Sequence, residues 1–461
     1  MMRRWWAYCV SLIVLSFTAI THLWGAEAQE PTAVVPLKAI DLRLIQAGEE
    51  LPIDLPTALR LATANNLEIQ EARARVREAQ GAKNQALAEF LPTTSYSFTA
   101  RKIDGRIQAS FGELGNRTFS TLNPTGVLSL TVDPGKALFD TLAAYKLLDA
   151  TTHQEEGVTQ QTLLTMAQQY FDLEQAQARV AIAEQAVAAS QELVRLSRDR
   201  ESLGVGLKVD VLRAEAQLAE DEGVLSQARK AFRDASVTLA LTLKLDPSVT
   251  LFPLEPAVKQ LTVIPSETSL DDLLSRALAR RPEVKELALR TEAAEDQRKA
   301  LWWKALGPKV AGTVEESAIG RSFDLGNRQS YSAFIGWVLS PSSIGEIQAA
   351  EARLDQTKIQ AERVREGVKA EVIQARETVL TAQEQIDAAL RGVQAAEASL
   401  ELSQVRLEGG VGLTLEVLEA QEALTTARTA LVSAIEQYNK AQTGLLRATG
   451  ELSVTALVGA P

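Results

Sequence analysis

The chain contains one unit twice, and no other feature constrains its fold as strongly. Residues 55–69, LPTALRLATANNLEI, align with 270–284, LDDLLSRALARRPEV. Each stretch opens an alanine- and charge-rich run that ends at a proline, Pro92 or Pro308. A second match is tighter. Gly204-Val205-Gly206-Leu207 corresponds to Gly410-Val411-Gly412-Leu413; the following Val211, Leu212, Ala214 and Leu218 correspond to Val417, Leu418, Ala420 and Leu424. Copies separated by about 210 residues make a tandem duplication too long to be a solenoid repeat.

Within each half the predicted order is helix, two strands, long helix, shorter helix. Helices are expected over 55–90, 134–203 and 207–242, and again over 270–306, 341–408 and 413–448. A helix of seventy residues spans roughly 105 Å, far beyond a compact domain. The two shorter helices of each half together match its long one, so they are expected to stack end to end beside it. The Gly-Val-Gly segments supply the sharp turn between a long helix and its antiparallel return. Leu193, Leu196 and Leu203 on one side, with Leu207, Val211, Leu218 and Leu225 on the other, mark a coiled-coil seam.

Between the helices, Ser95–Ala100, Gly126–Val132, Val310–Val314 and Tyr331–Val338 alternate polar and apolar residues. Each reads as a strand of about 8–11 residues, separated by polar loops over 101–123 and 315–329. Four such strands make a poor sheet in water. They suit a closed barrel across a thin membrane, which three chains would complete with twelve strands. Two surface hairpins on a helical protein are the alternative reading.

Residues 1–28 read as a secretory signal: Arg3 and Arg4, an apolar run over 8–20, and the small-x-small site Ala26-Glu27-Ala28. Its removal takes away Cys9, the one cysteine, so the mature chain works outside the cytoplasm without disulfides. The remaining segmentation is an extended N-terminal segment at 29–53, a first repeat at 54–242, a proline-bearing linker at 243–268, a second repeat at 269–450 and a flexible tail at 451–461. A mean hydropathy of -0.04 excludes a bundle of membrane helices. The net charge of -11 argues against nucleic acid as a partner. With two histidines and no nucleophile, phosphate-loop or dinucleotide pattern, no enzyme chemistry, metal or cofactor is expected.

Taken together, the duplicated Leu-x-x-Ala-Leu pattern at 55–66, the Leu91-Pro92 junction, Leu138-Phe139 and the twin Gly-Val-Gly-Leu turns carry a likeness over nearly the whole mature chain. In these the chain resembles the TolC-like outer membrane efflux protein family. The resemblance implies a mainly α protein with a membrane β-barrel portion: a homotrimer whose four strands per protomer form a twelve-stranded barrel above a long coiled-coil helical barrel. It implies an outer-membrane exit duct for a tripartite efflux pump or a one-step (type I) secretion system. The partners would be a periplasmic adaptor, an inner-membrane pump of RND, ABC or MFS type, and outer-membrane lipid, and 243–268 would be an equatorial linker. Pro341–Gly345 and Leu306-Gly307-Pro308 depart from the commoner family pattern. A soluble periplasmic coiled-coil adaptor or scaffold is the competing reading.

The expected sites follow. Gly204, Val205, Gly206, Leu207, Gly410, Val411, Gly412 and Leu413 are the candidate adaptor-contact tip. Asp210 and Glu416 are candidate lumen charges, and Arg195, Arg198 and Asp199 a candidate interhelical gate network. Trp337 suits a membrane interface, and Trp302 and Trp303 suit the junction of helices and barrel. His153 is expected on the surface.

Overall fold

The computed structural model describes residues 50–108, 112–254, 258–321 and 324–458. The expected signal at 1–28 and most of the segment 29–53 lie outside the described residues. In chain order the elements are β1 (Glu50–Ile53), α1 (Leu55–Asn65), α2 (Leu67–Ala88), β2 (Thr93–Gln108), β3 (Leu114–Val132), α3 (Pro134–Ser202) and α4 (Lys208–Leu243). They continue with β4 (Thr250–Pro253), α5 (Leu270–Arg280), α6 (Pro282–Leu306), β5 (Lys309–Arg321), β6 (Asp324–Gly336), α7 (Ser342–Glu408), α8 (Thr414–Ala448) and α9 (Val454–Val458).

The expected helices 55–90 and 270–306 are each broken, at equivalent positions of the two copies. Asn66 leaves the helical conformation, and its side chain accepts bonds from the Glu68 and Ile69 amides, capping α2. In the second half Pro282 opens α6, which forces Arg281 into an extended conformation. Arg281 is buried and pairs with Glu283 and with Glu371 of α7; Arg447 of α8 also reaches Glu283. The break is therefore tied to both neighbouring helices.

Four strands form one antiparallel sheet in the order β2-β3-β5-β6. The helices beneath keep that order: α2, α3, α6 and α7 lie side by side next to the sheet, and α4, α3, α8 and α7 farther away. The two 69- and 67-residue helices α3 and α7 run the full height, each roughly 100 Å, with the shorter helices stacked beside them.

The strands are longer than expected, at 16, 19, 13 and 13 residues, and take up most of the expected loops 101–123 and 315–329. The β2–β3 ladder continues to Gln108 opposite Leu114. In its upper part the face of Phe98 becomes polar, with Thr118 Oγ1 donating to Asp104 Oδ1 at 2.6 Å, while Ile103, Ile107 and Phe119 lie on the opposite face beside Arg101 and Arg117. The apolar residues thus change face above Ala100, which interrupts the alternation that marks the lower part of the strands.

The thickest core lies at mid-height. Ile53, Leu59, Met166, Tyr170, Leu173, Leu239, Leu243 and Leu251 are all essentially inaccessible there. β1 and β4 pair in parallel across this level, and the Leu251 amide donates to Ser236 Oγ at 2.7 Å. The linker beyond β4 is held by two polar residues of α8. Asn439 accepts from the Leu261 amide and donates to the Lys259 carbonyl, both at 2.8 Å. Gln442 accepts from the Ile264 amide at 3.0 Å and donates to the Ile264 carbonyl at 3.2 Å. The tail at 451–461, expected to be flexible, is packed over its described part. Leu452 and Leu457 are buried, Ser453 caps α9, and α9 lies against α1.

Candidate functional site

The two hairpin turns are built alike, and the two glycines of each serve different ends. Gly204 and Gly410 adopt φ of 75° and 78°, a left-handed conformation that reverses the chain. Gly206 and Gly412 instead allow close approach. A Cβ on Gly206 would stand 2.9 Å from the Glu201 amide nitrogen, and one on Gly412 2.7 Å from that of Leu407. Each turn is closed by two amides on one carbonyl. Val205 and Gly206 donate to Arg200 O, and Val411 and Gly412 donate to Arg406 O.

The two turns lie together. Leu193, Val194, Ala214, Leu407, Val417 and Leu418 form one small core joining both hairpins. Arg200 Nη1 donates to the Leu407 carbonyl at 2.8 Å, a direct bond from one hairpin to the other. Beyond this core the tip is apolar and open. Leu203, Val205, Leu207, Val411 and Leu413 are each 63–76% exposed. Leu203 and Leu207, expected in the seam, thus point outward, because the chain crosses over at the turn and leaves them no facing helix.

The expected network over Arg195, Arg198 and Asp199 takes a different form. Arg195 bonds Glu192 and Asp199 on its own helix, so it joins no second helix. Helical spacing of three and four places these partners on one face. Arg198 alone crosses to α4, reaching Glu215 at 2.6 Å. Hydrogen bonding to Arg195 holds the Glu192 carboxyl below its usual range, and Arg198 does the same for Glu215. Asp210 stands 3.9 Å from Arg213, and Glu416 3.5 Å from Arg406 across the second turn. The Arg200 bond had no signal in the sequence, since its acceptor is a backbone carbonyl 207 residues away.

The far end carries the sheet, whose register defines two faces. Tyr96, Phe98, Leu122, Leu128, Leu130, Val314, Tyr331 and Ile335 share one face. Tyr96, Phe98, Tyr331 and Ile335 on it are 54–70% exposed. The opposite face carries Ser95, Ser97, Thr125, Ser129, Thr313 and Ser332, with Thr93 bonded to Ser129 across it at 2.8 Å. From Leu122 to Val132 the apolar face runs roughly 33 Å along β3; strands inclined by about 40° would present about 25 Å of it to a bilayer.

The upper limit of this apolar face is slanted. It falls at Ala100 and Leu122 in β2 and β3, which are partners, but at Val314 and Tyr331 in β5 and β6. Val314 pairs with Leu128, so the limit drops by six residues across the sheet. A band oblique to the strands is what strands tilted in a membrane require. It also accounts for Glu316, which shares the apolar face but sits above its limit on β5. Trp337 lies just beyond β6 and is 63% exposed, at the foot of the band. Trp302 and Trp303 end α6 there, half exposed, and the Trp303 ring covers Gly135 at the start of α3.

Both outer strands, β2 and β6, have one unpaired edge. Among the described residues no helix is long and apolar enough to cross a membrane, and no cluster of three or more His, Cys, Asp or Glu is arranged to hold a metal ion. His153 bonds Glu156 and is partly exposed.

Comparison with known proteins places these features. The model of the family described as outer membrane efflux protein matches residues 58–243 and 273–451. The chain is 28% identical over 424 residues to the outer membrane efflux protein BepC of Brucella suis, covering 87% of this chain and 86% of that one. Its fold is similar to the CmeC outer membrane channel of Campylobacter jejuni, with a TM-score of 0.78, 16% identity and 88% of each chain covered. It is also similar to the outer membrane protein VceC of Vibrio cholerae, with a TM-score of 0.74, 21% identity, and 86% of this chain and 96% of that one covered.

Proposed function

The chain belongs to the outer membrane efflux protein family, and from that membership we propose that it is an outer-membrane exit duct for solutes driven outward by an inner-membrane pump. The observation that carries the reading is the sheet: one apolar face of bilayer height, one polar face, and two bare edges, standing on helices roughly 100 Å long. In hydrocarbon every backbone group needs a partner, so the sheet has to close. β2 and β6 run in opposite directions, because strand direction alternates across β2-β3-β5-β6. Head-to-tail repetition therefore sets the free edge of β6 against that of β2 in the next copy and continues the antiparallel pattern. Three copies give a twelve-stranded barrel with the apolar face outward.

The helical layer would continue as a second barrel through the periplasm. Its narrow end is formed by the turns 203–207 and 409–413, whose exposed Leu203, Val205, Leu207, Val411 and Leu413 suit the apolar face of a partner helix hairpin. We assign these residues to contact with a periplasmic adaptor, which links the duct to an RND, ABC or MFS pump. Closure of this end is assigned to the joint held by Arg200 and Leu407, with Asp210 and Glu416 near the passage. Arg195 and Asp199 stiffen α3 instead. A soluble adaptor or scaffold would leave the apolar sheet face in water, which disfavours that reading.

The test is direct. The protein should fractionate with outer membranes, run as a detergent-dependent trimer and form ion channels in planar bilayers. Single cysteines at Val205 and Val411, in a mature chain with none of its own, should crosslink to the adaptor. A soluble protein without conductance would sink the reading.

A further inference from the structure

We propose that the barrel passage attracts anions, and that the solutes it is suited to export are anionic. The inference rests on the duct reading above, which turns the polar face of the sheet inward. On that face the register places Arg101 of β2, Arg117 of β3, Lys309 of β5 and Arg328 of β6, against the acid Glu315 of β5; at the far end of the β5–β6 hairpin Arg321 stands opposite Asp324, one charge of each sign. The register fixes the assignment. Arg101 stands opposite Thr121, Arg117 opposite Gly105, Arg328 opposite Ser317 and Lys309 opposite Gly336. All four lie on the face marked by the Thr93–Ser129 and Thr313–Ser332 hydroxyl pairs.

None of the four cations takes part in an ion pair among the described residues, and the three arginines are exposed. Their charge is therefore presented to the passage and not neutralised in the wall. The sign is also opposite to that of the chain, which carries 48 Lys and Arg against 59 Asp and Glu. The cationic face is thus a local arrangement that average composition does not produce. Lys309 stands at the base of the strand, and the arginines stand at or above the upper limit of the apolar band. An anion leaving through the barrel meets Lys309 at the base, passes Glu315, and meets the arginines toward the mouth. In a ring of three copies these charges face one another across a low-dielectric wall, which concentrates counter-ions.

The charges that share the outer face of the same hairpin supply the control. Lys102 and Arg106 alternate with Arg101 and Gly105 and point away from the passage. The experiment measures chloride against potassium permeability of the full-length trimer in planar bilayers under a KCl gradient at low ionic strength. The triple variant R101Q/R117Q/R328Q should lower the chloride-to-potassium ratio by up to roughly tenfold, the lower end of the enrichment expected of charged clefts. The K102Q/R106Q variant, which removes charge from the outer face, should leave the ratio unchanged. If the triple variant does not assemble, the three single variants carry the test, each shifting the ratio in the same direction. An unchanged ratio in the inner-face variants, or an equal shift in the outer-face control, overturns this inference alone. A wild-type protein that forms no channels overturns the duct reading, and this inference with it.

Discussion

The two glycines of each turn should respond differently to substitution, and the difference can be worked from their surroundings. Gly410 holds φ at 78° with open space around it. Alanine there costs roughly 1–2 kcal/mol for the left-handed conformation, offset by about 0.4–1 kcal/mol because the unfolded chain loses freedom. The net, about 1 kcal/mol, is roughly a fivefold rise in local opening. Gly412 is constrained by space. Its Cβ would stand 2.7 Å from Leu407 N and 2.8 Å from Arg406 C, backbone atoms that cannot swing aside. Making room means pulling Val411 and Gly412 off the Arg406 carbonyl, two bonds worth about 0.5–1.5 kcal/mol each. Gly412→Ala should therefore cost about 2 kcal/mol or more, roughly a thirtyfold rise in opening. Asparagine tolerates the left-handed region, so Gly410→Asn should recover most of the loss, whereas Gly412→Asn should recover none. Amide hydrogen exchange over 405–416 reads these ratios, and Gly204 and Gly206 provide an independent repeat. The reasoning is refuted if Gly410→Ala proves the more damaging change, or if asparagine rescues position 412 and not position 410.

Two further outcomes follow from the waist and the helix break. Gln442→Leu should lower stability by about 2–4 kcal/mol, since the buried Ile264 amide and carbonyl both lose their partner, while Gln421→Leu, on the half-exposed part of α8, should cost far less; comparative thermal unfolding checks the order. Burial pushes the Glu283 carboxyl up, but the Arg447 guanidinium, with Arg281, outweighs it and holds the group below the ordinary glutamate value. Its contribution is therefore complete above an unfolded-state value of about 4.3–4.5 and is lost as pH falls below that, so Tm should drop between neutral pH and about pH 3.5 more steeply in the wild type than in Glu283→Gln. Parallel Tm curves would dismiss the idea.

Much of this architecture could be read from residue order alone, because the features that define it are local or repeated. The twin Gly-Val-Gly-Leu segments mark both turns, and the prolines Pro92 and Pro308 mark both passages from helix to strand. Period-two alternation found the strands where one face is apolar throughout, and it failed above Ala100, where the apolar residues Ile103, Ile107 and Phe119 pass to the opposite face. The break at Asn66 was hidden because asparagine is common in helices; its capping role depends on which amide it meets. Arg281-Pro282 was the stronger signal, since a proline displaces the residue before it. Gln442 and Asn439 stand in a helical run where nothing in the sequence sets them apart. Their true setting, a buried grip on a linker some 180 residues earlier in the chain, arises from tertiary contact. The same holds for Arg195, where three- and four-residue spacing already favoured partners on its own helix.

The bare edges of β2 and β6 have a consequence for how the protein is made. A single copy emerging into the periplasm carries two rows of unmet amides and carbonyls, the longer edge strand counting 16 residues. Lipid will not accept them, since each unpaired group costs several kcal/mol there. Membrane entry and ring closure therefore form one concerted event, and its rate rises steeply with the number of copies waiting. Dilute expression should therefore leave single chains uninserted, with no population of membrane-spanning monomers. The supply of new chains sets the timing of channel formation.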